Sequence, residues 1–287
     1  MTTRSRSLVS TDELARELGR PGLRVVDVRW SLDRPRHGRE AYDAGHLPGA
    51  VFLDIEADLS APGGGRGLPP GRHPWPSPEQ VARVMGAAGI DATTRVVAYD
   101  DQAGATAARL WFLLRAHGHD DVAVLDGGIV KWAAEGRPLS NDAERVTPAV
   151  FVPRLRADRI VDKAGMLARP QDALVLDARA APRYRGEVEP IDPRAGHIPG
   201  ALSAPFSDNL TDGPQPVFRS PEELRRRYAA LGAEQRPPIV YCGSGVTACH
   251  DLLALHLAGI DGRLYAGSWS QWSSDETLPL AVGPEPS

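Results

Sequence analysis

The feature that most constrains the fold is an internal repeat, because four landmarks recur in the same order in each half of the chain. A short apolar run ends in Asp-X-Arg, Gly-His-Leu/Ile-Pro-Gly-Ala follows, a second apolar run leads into a helical pattern, and a last short strand precedes a glycine turn and a tryptophan. The landmarks span 23–29, 45–50, 95–100 and 122–132, then 173–179, 196–201, 238–242 and 263–272. A repeat on this scale predicts two similar domains in 287 residues.

Apolar runs alternate with helical patterns in each half. This alternation predicts an α/β fold in which each domain is a mainly parallel sheet flanked by helices on both faces. We expect a first domain over 1–140, an interdomain linker over 141–157 and a second domain over 158–287. Residues 61–71 are rich in glycine and proline, and they predict a long loop of the first domain.

Composition excludes several classes of function. The net charge of −4 argues against a nucleic-acid partner, and no apolar run is long enough for a membrane span or a secretory leader. Two cysteines make neither a disulfide framework nor a recognisable zinc pattern. We therefore expect a cytoplasmic protein with a reduced thiol, no metal and no organic cofactor.

Cys242 is the residue that most strongly suggests chemistry. It ends the apolar run 238–242, where the strands of an open α/β sheet present function. Gly243 and Gly245 allow a tight turn whose amides, together with the dipole of the next helix, favour the thiolate. The alternative is a small buried hydrophobe, which is the role we predict for Cys249 in the helix body.

A cysteine in such a loop also suggests a cysteine-dependent phosphatase. That chemistry needs an arginine six residues after the cysteine to bind the phosphate oxygens in bidentate fashion. The sixth residue after Cys242 is Ala248. The sequence therefore argues against a phosphatase.

The stretch 242–250 resembles the active-site loop of the rhodanese superfamily, in its two-domain branch. The paired Gly-His-Leu/Ile-Pro-Gly signatures, the strand ends at Asp27 and Asp177 and the segment 267–272 match the same family. The resemblance implies tandem rhodanese-like domains, with the first inactive because Asp100 stands where Cys242 does in the second. It also implies transfer of sulfur from a small-molecule donor, through a cysteine persulfide, to a thiol, cyanide or a thioredoxin-like acceptor.

The donor is predicted from the residues after the cysteine. Family members that use thiosulfate carry cationic side chains there, whereas those that use 3-mercaptopyruvate carry Gly-Ser-Gly. Neutral Gly243 and Ser244 therefore favour 3-mercaptopyruvate. Thiosulfate as the donor stays open, and so does a non-catalytic module that binds a persulfide or a partner.

The resemblance also implies the other site residues. Arg183 corresponds to an arginine that binds the donor carboxylate, Arg185 is a second candidate, and no further arginine stands in register over 188–192. A solvated pair of surface arginines is the alternative. Ser244, His73 and Glu56 correspond to a serine–histidine–acid triad, in which Glu56 replaces the family's aspartate and the loop from Glu56 to His73 is longer than the family's. The alternative for His73 is a loop histidine packed on prolines. The predicted binding loop is completed by small and neutral residues: Gly243, Gly245, Val246 and Thr247.

Two histidines have a different predicted role. His46 and His197 occur in both repeats, including the repeat without a thiol. We therefore expect them to hold their turns by hydrogen bonds rather than to act in chemistry.

Overall fold

The computed structural model describes residues 7–34 and 36–286, which form two compact units. Unit 1 comprises residues up to 59, 76–156 and 211–218, and unit 2 comprises 60–75, 157–210 and the residues from 219 on. The loop 60–75, which the sequence assigns to the first domain, groups with the second unit by its contacts. Its contacts with the loop around Cys242, described below, explain this assignment.

Unit 1 is built on a five-stranded parallel sheet in the order β1-β5-β4-β2-β3. Its elements are β1 (Leu8–Val9), α1 (Thr11–Glu17), β2 (Leu23–Asp27), α2 (His37–Ala44), β3 (Ala50–Phe52), α3 (Pro78–Ala87), β4 (Arg95–Tyr99), α4 (Ala107–Ala116), β5 (Val122–Leu125) and α5 (Gly128–Ala134).

Unit 2 repeats this topology in the order β6-β10-β9-β7-β8, again with parallel pairing. Its elements are β6 (Ile160–Val161), α6 (Lys163–Leu167), β7 (Val175–Asp177), α7 (Ala181–Tyr184), β8 (Ala201–Ser203), α8 (Pro221–Ala230), β9 (Ile239–Tyr241), α9 (Ala248–Leu257), β10 (Arg263–Tyr265) and α10 (Ser268–Ser273). The predicted duplication is therefore present at the level of the fold.

Alternate strand residues pack on opposite faces of each sheet. In unit 1, Val25 and Val97 join one core cluster with Leu14, Tyr42 and Trp132 from three helices. The intervening strand residues are also fully buried, and α4 contacts β4 and β5. Both faces are thus covered by helices, which confirms the predicted fold class.

The repeated histidines hold the turns that follow α2 and α7. His46 Nδ1 lies 2.8 Å from the carbonyl oxygen of Tyr42, and His197 Nδ1 lies 2.8 Å from that of Tyr184. Each imidazole also stacks on the tyrosine ring, with centroids 3.9 and 3.8 Å apart. These contacts are the structural role that the sequence predicted.

The sequence predicts helices over 105–116 and 246–258 after β4 and β9, and the helices of the structure begin two residues later, at Ala107 and Ala248. In unit 1 the reason is the side chain of Asp100. Its buried carboxylate accepts hydrogen bonds of 2.7–3.1 Å from the amides of Gln102, Gly104, Thr106 and Ala107 and from the Thr106 hydroxyl. The residues before the helix therefore form a loop that wraps an anion.

We expect Asp100→Ala to destabilise unit 1 strongly, because the substitution leaves several buried amides without their acceptor. Each such group costs about 1–3 kcal/mol, so the free energy of unfolding should fall by about 3–5 kcal/mol. Chemical denaturation measures this loss. The matched control is Asp101→Ala, since the Asp101 pair with His37 is partly exposed and should contribute less than about 1 kcal/mol. Equal effects of the two substitutions would contradict the role given to the Asp100 carboxylate.

Candidate active site

Cys242 lies at the carboxyl end of β9 and is held by its backbone on both sides. Its amide donates to the Ser268 hydroxyl (3.2 Å), and its carbonyl accepts from the Trp269 amide (2.9 Å). Its Sγ accepts from the Gly245 amide at 3.1 Å, and Gly245 has a φ of +77°, which favours glycine. The thiol is 1% exposed, so the fold fixes its position before any ligand arrives.

The loop after Cys242 contains further amides that are available to an anion. In the described part of unit 2, the amides of Ser244, Val246 and Thr247 donate to no acceptor. The corresponding loop of unit 1 binds the Asp100 carboxylate through this kind of amide. The loop after Cys242 can therefore stabilise a negative charge carried by the cysteine side chain.

Two guanidinium groups border Gly243. A Cβ built on this glycine would lie 2.6 Å from Arg72 Nη2 and 3.5 Å from Arg183 Nη1. Among the described residues neither nitrogen has a hydrogen-bond partner. Glycine at this position thus leaves room for two cationic donors beside the cysteine.

Buried carboxylates hold both arginines in place. Arg183 donates through Nη2 to Glu189 Oε1 (2.6 Å) and Asp192 Oδ2 (3.1 Å), and Arg72 Nη1 donates to Asp192 Oδ1. Burial lowers the pKa of Arg72, while the charges of Asp192 and Cys242 act in the opposite direction. Burial also raises the pKa of the Asp192 carboxyl. Arg185, in contrast, forms an ion pair with Glu187 whose side chain is 54% exposed.

Ser244 and His73 form a buried pair. His73 Nδ1 lies 2.7 Å from Ser244 Oγ, and the two residues are 3% and 7% exposed. Glu56, the third member of the predicted triad, lies in unit 1, where its amide donates to the Asp54 carboxylate at 2.8 Å.

The loop 60–75 reaches this site through backbone and side-chain contacts. The Arg72 amide donates to Ser270 Oγ at 3.1 Å, and the Ser270 amide donates to the Gly243 carbonyl at 2.8 Å. Ser270 therefore couples the loop that carries Arg72 and His73 to the loop that carries Cys242.

Two long segments of the chain match one known protein family. Residues 10–135 and 162–275 match the rhodanese-like domain. The chain belongs to the rhodanese-like domain family.

Similar proteins cover the rhodanese-like chain almost completely. A Pseudomonas aeruginosa protein named "Probable 3-mercaptopyruvate sulfurtransferase" is 48% identical over 97% of this chain and 99% of its own length. The thiosulfate sulfurtransferase of Cricetulus griseus is 38% identical over 93% of this chain and 92% of its own. SseA from Escherichia coli, a 3-mercaptopyruvate sulfotransferase of known structure, is 32% identical with a TM-score of 0.79, over 92% of this chain and 98% of its own.

Sequence reasoning missed two residues of the rhodanese-like site. Arg72 precedes the predicted His73, yet a loop arginine carries no signal that it folds back onto Gly243. Ser268 has a φ of +52° and uses its hydroxyl to bind the Cys242 amide, whereas Gly128 holds the corresponding turn in unit 1. A comparison of the two repeats at this turn could have drawn attention to the serine.

Arg194 is the first arginine after 188–192, the range in which the resemblance places a second arginine for the donor. Its guanidinium donates to backbone carbonyls of Trp272, Ser273, Asp275 and Leu278. The Arg194 carbonyl in turn accepts from Trp269 Nε1 at 3.0 Å. Arg194 therefore fixes the end of α10 rather than facing the cysteine.

The structure describes residues 7–34 and 36–286. These residues contain no group of three or more His, Cys, Asp or Glu that could hold a metal ion. Within the same ranges no helix combines the length and the apolar character needed to cross a membrane.

Proposed function

We propose that this protein is a sulfurtransferase that moves sulfur from 3-mercaptopyruvate to a thiophilic acceptor through a persulfide on Cys242. The observation that carries the proposal is the anion-stabilising loop around Cys242, beside two guanidinium nitrogens, Arg72 Nη2 and Arg183 Nη1, that have no hydrogen-bond partner among the described residues. Relatives named as sulfurtransferases support the same activity.

The loop of unit 1 indicates which anion the loop of unit 2 suits. In an aspartate the charged oxygen is two bonds from Cβ, and in a cysteine persulfide the terminal sulfur is also two bonds from Cβ. Asp100 therefore carries its charge as many bonds from Cβ as a persulfide on Cys242 would, and in unit 1 the loop amides bind that charge. This correspondence favours a persulfide over a phosphorylated cysteine, because a phosphoryl group is larger and spreads its charge over three oxygens.

The two free guanidinium nitrogens give the donor its orientation. Arg72 Nη2 and Arg183 Nη1 both border Gly243, one residue from the thiol. Two such donors suit a carboxylate, which accepts through both oxygens. We assign the carboxylate of 3-mercaptopyruvate to this pair, with the loop residues Gly243, Gly245, Val246 and Thr247 around the transferred sulfur. Arg185 stays a weaker candidate.

The transfer step then follows. The Cys242 thiolate attacks the sulfur of the donor, an S–S bond forms, and the C–S bond breaks. The electron pair of the C–S bond passes to carbon and generates the enolate of pyruvate, which takes up a proton. The donor's own thiol proton stays with the new persulfide or is released to solvent, and the loop amides stabilise the resulting charge.

Ser244 and His73 are assigned to the proton of this step. Their 2.7 Å contact allows Ser244 to donate a proton to the enolate while His73 supplies its replacement. Glu56 is assigned to orient His73, as the resemblance implies. The roles of Ser244 and His73 rest on this geometry and on the family pattern, and the role of Glu56 rests on the family pattern alone.

The persulfide is discharged by a second substrate, which makes the reaction ping-pong. A thiol, cyanide or a thioredoxin-like protein would attack the terminal sulfur and regenerate Cys242. Thiosulfate is the second candidate donor. The thiosulfate sulfurtransferase of Cricetulus griseus is 38% identical to this chain, and the 3-mercaptopyruvate sulfurtransferase of Rattus norvegicus is 37% identical, so the two kinds of relative are about equally similar to it. With thiosulfate, the S–S bond of the donor breaks and sulfite leaves.

The remaining assignments are part of the same proposal. The first domain, over 1–140, is catalytically inactive, since both cysteines of the chain lie in unit 2. The linker covers 141–157 and the catalytic domain 158–287. A reduced cytoplasmic compartment suits a thiol that must cycle between the free and persulfide forms.

The test is steady-state kinetics with the two donors and cyanide as the common acceptor. We expect kcat/KM to be higher for 3-mercaptopyruvate than for thiosulfate, because Gly243 and Ser244 add no positive charge beside the thiol. A clear preference for thiosulfate would overturn the donor assignment. Failure of either donor to load Cys242 would overturn the activity itself.

A further inference from the structure

The arginines beside Cys242 belong to a buried cluster of six charged side chains. Its positive members are Arg72, Arg179 and Arg183, and its negative members are Asp177, Glu189 and Asp192. Their charges balance, so the cluster is electrically neutral before any donor binds. A site with two arginines bordering Gly243 therefore lacks the net positive charge that two arginines would suggest.

Asp192 is the carboxylate that neutralises the two arginines bordering Gly243. Its Oδ1 accepts from Arg72 and its Oδ2 from Arg183 (3.1 Å), and its side chain is fully buried. Glu189 forms an ion pair with only Arg183 of these two, and its other ion-pair partner is Arg179. Asp192 is therefore the acid that acts on both donors of the proposed carboxylate site.

We propose that Asp192 selects the donor by charge, admitting a monoanion such as 3-mercaptopyruvate and disfavouring a dianion such as thiosulfate. The inference rests on the proposed function and adds its specificity determinant. Each negative charge of the donor is repelled by the Asp192 carboxylate, which pairs with the same arginines. The repulsion is strong because the environment is buried. The repulsion acts on both charges of a dianion, so removal of the Asp192 charge raises the affinity for a dianion more than the affinity for a monoanion.

The experiment separates binding from turnover. Calorimetry measures the affinities of sulfate, a dianion without transferable sulfur, and of pyruvate, a monoanion, in a Cys242→Ser background with and without Asp192→Asn. We expect the ratio of sulfate to pyruvate affinity to rise on the order of tenfold with Asp192→Asn. In the enzyme with Cys242 intact, kcat/KM for thiosulfate relative to 3-mercaptopyruvate should rise by a similar factor.

Asp261→Asn is the matched control, because it makes the same chemical change on a side chain of unit 2 that is 65% exposed. An unchanged affinity ratio in Asp192→Asn, or the same change in Asp261→Asn, would overturn the inference. If Asp192→Asn does not fold, Glu189→Gln removes one charge from the same cluster and should shift the ratio in the same direction, and no shift would also overturn it. Loss of the proposed function would be recognised separately, by the absence of turnover of either donor in the unsubstituted protein.

Discussion

Cys242→Ser is expected to abolish persulfide formation and to lower kcat by at least about 10⁴-fold. The hydroxyl is a far weaker nucleophile at neutral pH, and it lacks the sulfur that forms the S–S bond. Intact mass spectrometry after incubation with 3-mercaptopyruvate measures the result directly. The unsubstituted protein should gain one sulfur atom, and the variant should gain none.

Cys249→Ser is the control for this substitution. Cys249 is buried in α9, and its Sγ donates to the Gly245 carbonyl at 3.3 Å, a contact that a serine hydroxyl can also make. This variant should still take up one sulfur atom. Uptake by Cys242→Ser, or loss of uptake only in Cys249→Ser, would move the nucleophile away from Cys242.

Arg183→Ala is expected to raise KM for 3-mercaptopyruvate with a smaller change in kcat. The substitution removes a charged hydrogen bond to the donor carboxylate, worth about 1.5–3 kcal/mol, so kcat/KM should fall by about 10- to 150-fold. Arg72→Ala should act in the same direction, because its Nη2 borders the same glycine. Steady-state kinetics over a range of donor concentrations separates the two parameters.

Two further variants define the limits of this effect. Arg225→Ala removes an exposed arginine that pairs with Glu234, and its kinetics should match those of the unsubstituted protein. Arg185→Ala tests the weaker candidate, whose guanidinium pairs with Glu187. An unchanged KM in Arg183→Ala would remove Arg183 from the site, and a large rise in Arg185→Ala would bring Arg185 into it.

The backbone of the fold was predictable because its signals are local and repeated. The apolar runs that end at Asp27 and Asp177 predicted β2 and β7, and the runs before Asp100 and Cys242 predicted β4 and β9. The helix starts were predicted two residues early. Hydrophobic periodicity cannot show that the amides of a loop bind an anion before the helix begins, as the amides after Asp100 do.

The candidate site was predictable only where its residues are close in sequence. Cys242, Ser244 and their glycines stand in one loop, and the order of residues largely fixes their geometry. Arg72 lies 170 positions before Cys242, and its side chain reaches the site because the loop 60–75 packs with unit 2. Long-range packing of this kind depends on contacts such as that between the Arg72 amide and Ser270, for which the sequence has no local signal.

The sequence by itself therefore determined the duplicated α/β fold, the place of the thiol at a strand end and the absence of a thiol in the first repeat. These follow from hydrophobic periodicity and from residue identity, which act over a few neighbours. Only the tertiary structure decided which charges surround that thiol. The pairing of Asp192 with Arg72 and Arg183 joins residues separated by up to 120 positions, because buried charges are stabilised by whichever opposite charge the fold brings within hydrogen-bond distance.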